Sequence, residues 1–458
     1  MAAGSKDVES VVARCLEEAN HYDPDNRIMA FSDLSSEVLQ QDVELSPTLQ
    51  REIRDTILKR LEVDTSVNVH SNAVKCLGDL IKRCSNDTVK AVCRALASHV
   101  TDKDKSDLRD VYAIGLRSVI SNVPSAQGSL VAMELAGRLS EAARADVGER
   151  GDSGAAEGGL STVMSSSIAL ESLEILEQLL GRFGAACGPH LSVVVESCME
   201  LVSVDAGPVG KRAASCLGVV ACVLGDEELG AMVSSLADAI EEREDTRTQL
   251  HALSNVGRSV GGRLGGHLGR LIPLLKKAMN AEEDEDGGLF GRVVSLDEAN
   301  AHLNDVREGC LHALAAFVSQ CPEETTPFLD DIVRLAVGFA AFDPNYVYGT
   351  ESSSSGDGGG GDEYGGGDDD DDEFGYDDDE DDYYEEEGLM ERDEDDSSWK
   401  IRRASLRLLV AACATHRERC HTFFPWLAPR LTVLFREREP SVRADVFEAL
   451  AELVKSLL

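Results

Sequence analysis

Apolar residues recur along this chain at spacings of three and four, in short runs separated by polar or glycine-bearing breaks. Val111, Ile114 and Val119 fall around Leu116 in this way, and Leu170, Leu173, Leu176 and Leu180 form a second stripe. Leu49, Ile53, Ile57 and Leu61 make a third, and Leu427, Leu431 and Leu434 a fourth. This period marks helices with one apolar face. Only stretches such as Leu191–Val195 look strand-like. The pattern therefore predicts an all-α chain built of many short helices.

The helices follow a repeating order. One phrase returns, Asp, any residue, Arg, then an apolar helix: Asp25-Asn26-Arg27, Asp107-Leu108-Arg109, Asp245-Thr246-Arg247 and Asp305-Val306-Arg307. With weaker copies included, its middle residue falls at Asn26, Val69, Leu108, Ile168, Val209, Thr246, Val306, Ile401 and Val442. Successive separations of these anchors are 43, 39, 60, 41, 37, 60, 95 and 41 residues. Five of the eight lie close to the ~40–47-residue period of HEAT and armadillo arrays. Each of the three long ones contains a low-complexity stretch, at 145–159, 281–297 and 343–396, and removing these restores the period.

Each anchor is expected to open the second helix of a pair, with the preceding Asp accepting from the unpaired N–H groups of the first turn. A lone pair leaves two faces uncovered, so neighbours must stack. The predicted fold is an all-α HEAT-repeat α-solenoid, a superhelix of about nine helix pairs. Residues 1–342 form the array, with loops near 145–159 and 281–297. Residues 343–396 form an acidic, low-complexity, disordered insertion, and 397–458 continue the array.

Charge sharpens this division. Between Asp343 and Asp396 stand 25 Asp and Glu against one basic residue, Arg392, so this segment carries −24 of the chain's formal −40. Such a run is expected to stay disordered. It serves either as an electrostatic arm for a basic partner or as a solubilising insertion. The acidic balance argues against nucleic acid, whose phosphates need Lys and Arg.

No apolar run reaches the ~20 residues that span a bilayer, and the first residues hold no apolar signal core. Cytoplasm and nucleus are the expected location. The twelve cysteines show no CxxC pair, and Cys76, Cys93, Cys198, Cys216, Cys222 and Cys310 read as small buried hydrophobes. Catalytic signatures are missing; Gly261–Gly266 reads as a helix junction, and His190 and His267 as packing residues ahead of apolar helices. Neither catalysis, a cofactor nor a metal is expected.

Several blocks resemble the cullin-associated, neddylation-dissociated protein family. These are Ala73-Val74-Lys75-Cys76-Leu77-Gly78, Phe342-Asp343-Pro344-Asn345-Tyr346 before the acidic loop, and Ser398-Trp399-Lys400-Ile401-Arg402-Arg403-Ala404 after it. Phe435-Arg436-Glu437-Arg438-Glu439 and Val442-Arg443-Ala444-Asp445-Val446-Phe447 complete the set. The resemblance runs from about Asp23 to the end and covers the N-terminal portion of the family.

It implies a scaffold that grips the cullin C-terminal domain and the RING-box subunit of a cullin lacking its modification. A companion chain carrying the C-terminal repeats is a further possible partner. An importin-β-like nuclear transport receptor, or another HEAT scaffold, is the alternative.

The arginine after the anchor occurs at Arg27, Arg109, Arg247, Arg307, Arg402 and Arg443. Two roles are open for it: a ladder pairing with Asp or carbonyl groups of the next repeat, or direct contact with a partner. On the second reading the contact residues are Arg27, Arg109, Asp343, Asn345, Tyr346, Trp399, Arg402, Arg403 and Arg443.

Overall fold

The structure, a computed structural model, describes residues 2–41, 45–104, 106–152, 168–204, 207–242, 246–280, 301–343 and 398–458. Among these residues every regular element is helical and no strand occurs. The strand-like stretch Leu191–Val195 is the start of a helix. The acidic insertion after Asp343, the 281–297 loop, Asn345 and Tyr346 lie outside the described residues.

The chain divides into two compact units, Met1–Ala278 with His312–Phe328, and Met279–Leu311 with Leu329–Leu458. In the first unit, first and second helices alternate: α1 (Ala2–Glu18) with α2 (Pro24–Asp33), α3 (Pro47–Val63) with α4 (Val67–Ile81), and α5 (Asn86–Val100) with α6 (Arg109–Asn122). Then come α7 (Gly128–Asp152) with α8 (Ile168–Phe183), α9 (Leu191–Val204) with α10 (Pro208–Ala221), and α11 (Asp226–Glu242) with α12 (Arg247–Val260). After these comes α13 (Leu268–Ala278).

Residues of α14 (Ala301–Gln320) are shared between the units at His312, and α15 (Pro322–Thr325) is a single turn. The second unit contains α16 (Leu329–Ala340) packed on α17 (Ser398–Thr415), and α18 (Arg417–Val433) packed on α19 (Pro440–Lys455). All nine anchors sit at or near the start of a second helix: α2, α4, α6, α8, α10, α12, α14, α17 and α19.

Local chemistry starts these helices where the sequence places them. Asp23 accepts from the Asp25 N–H with Pro24 in the first turn of α2, and Ser46 does the same for Leu49 ahead of α3. Proline is well placed there because its missing N–H would have had no helical partner. The core then forms between neighbours: second helices pack on second helices, α2 on α4, α4 on α6, α10 on α12 and α17 on α19. Phe31, Leu77, Leu116 and Leu217 are almost wholly withdrawn from solvent in this way.

Two junctions show how the chain turns. α12 stops at Gly261, whose φ of 56° and ψ of −137° suit a residue without Cβ. A 3-10 segment, Gly261–His267, then leads into α13 as the sequence suggests, and Gly184–His190 does the same before α9. His190 lies against Gly137 of α7 and His267 against Gly230 of α11, so both rings fill the space a glycine leaves. α7, by contrast, runs through Asp152. Residues 145–152, read from sequence as loop because of their Gly, Asp and Glu content, are therefore helical: an amphipathic turn needs no large apolar residue to extend a helix already nucleated.

Close packing at Gly128 gives a testable consequence. A Cβ built there would lie 2.5 Å from Cδ1 of Phe183, a rigid ring on α8 that is nearly buried. Although Ala is the better helix former, Gly128→Ala should destabilise the first unit by about 1–3 kcal/mol through overpacking. Urea unfolding followed by circular dichroism measures this; an unchanged or raised midpoint would show that the ring moves aside freely.

Candidate partner-binding surface

The arginines after the anchors point into the fold. Arg27 makes a bidentate pair with Asp64, Nε to Oδ2 at 2.6 Å and Nη2 to Oδ1 at 2.9 Å. Its Nη1 donates to the carbonyls of His21 and Tyr22, both at 2.9 Å. Asp64 belongs to the turn between α3 and α4, so this side chain ties one turn to the next.

Arg402 repeats the design in the second unit. Nη1 donates to Phe342 O at 3.1 Å and Ser398 Oγ at 2.8 Å, while Nε lies 3.0 Å from Glu437 in the following turn. Arg109 stays within its own turn, bonding Val100 O and Asp102 O at 3.2 and 3.0 Å. Arg307, fully buried, donates to Met279 O and stacks its guanidinium 5.4 Å from the Phe342 ring.

Arg27, Arg109 and Arg402 are buried and bonded within the fold, and Arg27 and Arg402 pair with an acidic residue of the following turn, as a ladder requires. Asp343 is withdrawn too, its carboxylate accepting from Arg438 Nη2 at 2.8 Å. Arg403 is half-buried and pairs with Asp445 at 3.0 Å. Trp399 is half-buried with Lys400 Nζ 5.9 Å from its ring centroid. Among the described residues of this set only Arg443 is exposed.

Arg247 is exposed as well. Counted from Gln249, the first and fifth places, buried on α2 to α10, fall on buried Leu250 and Ser254, whereas counted from Thr246 they fall on exposed Arg247 and half-buried His251, so the repeat position in α12 is Gln249, three residues beyond the anchor read at Thr246. Thr248 and Gln249 take over the carbonyl-bonding task, both donating to Val202 O, at 2.8 and 3.2 Å.

One exposed line runs along the second helices. From α2 to α10 it falls at the third and sixth residues after each anchor. These are Met29 and Ser32 on α2, Asn72 and Lys75 on α4, Val111 and Ile114 on α6, Glu171 and Glu174 on α8, and Arg212 and Ser215 on α10, none of them buried. Met29 and Ile114 are large apolar residues standing 58% and 50% exposed. The helical stripe alone assigns Ile114 to the core; the structure turns it outward, because α6 has enough apolar positions to bury a face without it.

Further along the line the chemistry becomes ionic. Arg117 pairs with Glu174 and lies 3.6 Å from Glu171, and Arg212 reaches Glu174 and Glu177 at 3.2 and 3.3 Å.

The buried thiols and His251, unlike the paired Asp64, are held in their neutral forms. Burial pushes the Cys84 and Cys93 thiols up to about 12, so neither supplies a thiolate near neutral pH. Eleven of the twelve cysteines are buried and all are unbridged; Cys222, grouped with the buried set by sequence, is exposed at the end of α10. Burial, reinforced by Arg258 and Lys211, brings His251 down to about 4. Among the described residues no group of three or more His, Cys, Asp or Glu side chains could hold a metal ion. None of the helices described is long and apolar enough to cross a membrane.

The helical-repeat class is borne out by solved structures. The chain superposes on Kap121p with a TM-score of 0.57 at 12% identity, covering 98% of this chain and 38% of that one. Importin beta in an ammonium sulfate condition gives 0.51, again at 12% identity, covering 98% and 48%. These likenesses define a HEAT-repeat α-solenoid and nothing narrower. No family model matches the chain.

Curated sequences are more specific. Mouse cullin-associated NEDD8-dissociated protein 2 is 32% identical over 451 residues, 97% of this chain and 32% of its own length. Cullin-associated NEDD8-dissociated protein 1 of Dictyostelium discoideum is 31% identical over 450 residues, 97% and 33%. The chain is thus a homologue of the cullin-associated NEDD8-dissociated proteins, and it spans about a third of the length of the relatives it matches.

In Emericella nidulans the corresponding sequence is divided. The N-terminal part is 24% identical over 59% of this chain and the C-terminal part 36% identical over 35% of it, the latter match covering 15% of the C-terminal part.

The ladder sets a second prediction. Burial by itself raises the Asp64 carboxyl, but hydrogen bonds from Arg27 and the Ser66 N–H hold it below the ordinary carboxylate range. Asp64→Ala should cost about 3–5 kcal/mol, because it strands the buried Arg27 charge. Since the folded pKa is depressed, the stabilisation is present above the unfolded value near ~3.9 and fades as pH falls through the folded one. Thermal unfolding from pH 7 to pH 2 should show a shallower acid limb in the variant than in the parent; parallel limbs would remove Asp64 from that role.

Proposed function

We propose that this chain is a protein-binding scaffold that associates with a cullin, gripping the cullin C-terminal domain and RING-box subunit when the cullin lacks NEDD8. The observation that supports this most is the similarity itself. It covers 97% of the chain, and therefore both units, in proteins whose names record cullin association and NEDD8 dissociation. The contact surface on this reading is the solvent line of the second helices, with Met29 and Ile114 as apolar anchors in the first unit. Apolar side chains at the centre of a contact carry most of its energy, and a polar surround keeps water out. The transport-receptor alternative draws only on a likeness of fold at 12% identity. The same reading places the chain in the cytoplasm and nucleus.

Binding of the purified chain to a cullin–RING core, with and without NEDD8 attached, tests this by calorimetry. Saturable binding to the unmodified core is expected, weakened at least about tenfold by the modification, a difference of ~1.4 kcal/mol. Absence of binding, or equal affinity for both forms, would overturn the proposal. Met29→Glu with Ile114→Glu should weaken the complex about tenfold or more and leave the circular dichroism spectrum unchanged; undiminished affinity would move the contact elsewhere.

The acidic insertion is assigned on this reading as an electrostatic arm for a basic partner. Removing residues 352–395 should leave helix content and the melting temperature nearly unchanged. Association with the core should slow at high salt in the intact chain, within the ~10–10³-fold range of electrostatic steering, and less in the shortened one. Equal salt sensitivity in stopped-flow mixing would exclude the arm.

A further inference from the structure

One face of the second unit sets two guanidinium groups over a single indole. Trp426 of α18 is half-buried, and its ring centroid lies 5.4 Å from the guanidinium carbon of Arg334 on α16 and 5.4 Å from that of Arg430, one turn further along α18. Arg430 also donates to the Trp426 carbonyl at 2.7 Å. Seven residues before Trp426, the same two helices are joined by an ordinary ion pair, Arg419 with Asp330 at 2.9 Å. Arg334, by contrast, is exposed and has no ion-pair partner among the described residues. Burial and the neighbouring Arg334 charge push Arg430 down from its ordinary value, as two cations held together do. A guanidinium over a ring keeps its N–H groups in its own plane, where carboxylates bind in pairs.

The carboxylates nearest in the chain belong to the acidic insertion. Residues 398–458 hold 11 Lys and Arg against 6 Asp and Glu, so a surplus of five positive charges follows the segment that carries −24. Both ends of that segment are pinned at the C-terminal end of α18. Asp343 accepts from Arg438 at 2.8 Å, and Ser398 accepts from Arg402, whose Nε meets Glu437 at 3.0 Å. Trp426 stands 11 residues before Glu437, a rise of about 17 Å along a helix.

We infer that Arg334, Trp426 and Arg430 form a docking site for the chain's own acidic run 376–387, in which six consecutive carboxylates and then three stand among Tyr376, Tyr383 and Tyr384. The 11 residues from the end of this run to Ser398 reach up to about 36 Å, more than the distance to be covered along α18. Tethering gives the run an effective concentration in the ~mM range, so a contact too weak to hold a free peptide still fills the site. An acidic segment of another molecule must approach against the chain's formal −40, which disfavours a partner or a second copy as the occupant. This docking is separate from cullin binding, since α16 and α18 are first helices and the proposed cullin surface lies on second helices.

The probe is a fluorescent peptide of residues 376–387, titrated by anisotropy into the intact chain and into one lacking residues 352–395, the two compared first for helix content by circular dichroism. At low salt the shortened chain should bind the peptide saturably, and added salt should weaken the complex. The intact chain should bind it at least about tenfold more weakly, because its own run competes at ~mM effective concentration. In the shortened chain Arg334→Glu and Arg430→Glu should each weaken binding about tenfold. Arg417→Glu, the same charge change at an exposed site elsewhere on α18, should leave it nearly unchanged. Arg334 is exposed, so its variant should keep the parent's melting temperature even if Arg430→Glu unfolds. No binding by the shortened chain, or equal weakening by Arg334→Glu and Arg417→Glu, would overturn the inference. So would equal affinity of the two chains, which would give the face to an acidic partner, and self-association of the intact chain that Arg334→Glu abolishes, which would give it to a second copy.

Discussion

The apolar flank of each helix pair constrains everything else in this chain. A second helix buries one stripe against its own first helix and a second stripe against the next second helix, as Val74 and Ile81 of α4 do beside α6. No pair closes a core by itself, and the stable object is the stack. The constraint acts on a few positions per repeat and leaves the connections free. Lengthening a connection costs little, since loop entropy grows only with the logarithm of length. The chain can therefore carry 25 acidic residues between Asp343 and Asp396 while α16 and α17 pack directly on one another.

Interdigitated apolar flanks already narrow the register, and the buried arginines specify it further. A guanidinium that must meet both Asp64 oxygens and two carbonyls has one satisfactory position, and any slip strands a charge away from water. The rungs differ in reach: Arg27 and Arg402 join successive turns, whereas Arg109 holds a single turn. In α12 the task passes to neutral donors, Thr248 and Gln249. The residue type is thus replaceable wherever a buried carbonyl still receives its hydrogen bond.

This separation explains what could be read from the sequence and what could not. The anchors were legible because the apolar period survives in every repeat, and all nine lie at or near helix starts. Thr246 was displaced by three residues because Asp245-Thr246-Arg247 copies the phrase, and burial, invisible in one sequence, selects Gln249 instead. Ile114 read as core because its side chain suits either environment; only the register relative to Leu108 shows that it lies on the solvent line. Four of the nine residues read as partner contacts, Arg27, Arg109, Asp343 and Arg402, are buried for a related reason. An Arg beside an apolar helix start looks like a surface charge, yet Arg27, Arg109 and Arg402 are held inside by partners as distant in sequence as Asp64 and Glu437. Their bonding follows from stacking, which a linear pattern does not contain. Asn345 and Tyr346 fall outside the described residues, so the geometry bears on neither.

Two sets of positions on one helix then carry two kinds of information. Residues at the fifth and twelfth places after the anchor stay small or apolar from α2 to α10, since stacking tolerates little else. Those at the third and sixth places change from Met29 and Ser32, through Asn72 and Lys75, to Glu171, Glu174 and Arg212. Because the two sets lie on different faces, the solvent line can vary its charge and polarity while the stack keeps its stability. The ionic stretch from Arg117 to Glu177 is internally paired, so it offers a partner little net charge, whereas Met29 and Ile114 expose apolar surface on either side of the polar Asn72 and Lys75. A large net charge on the whole chain is compatible with this, because most of it sits between Asp343 and Asp396 and not on the helices that form the surface.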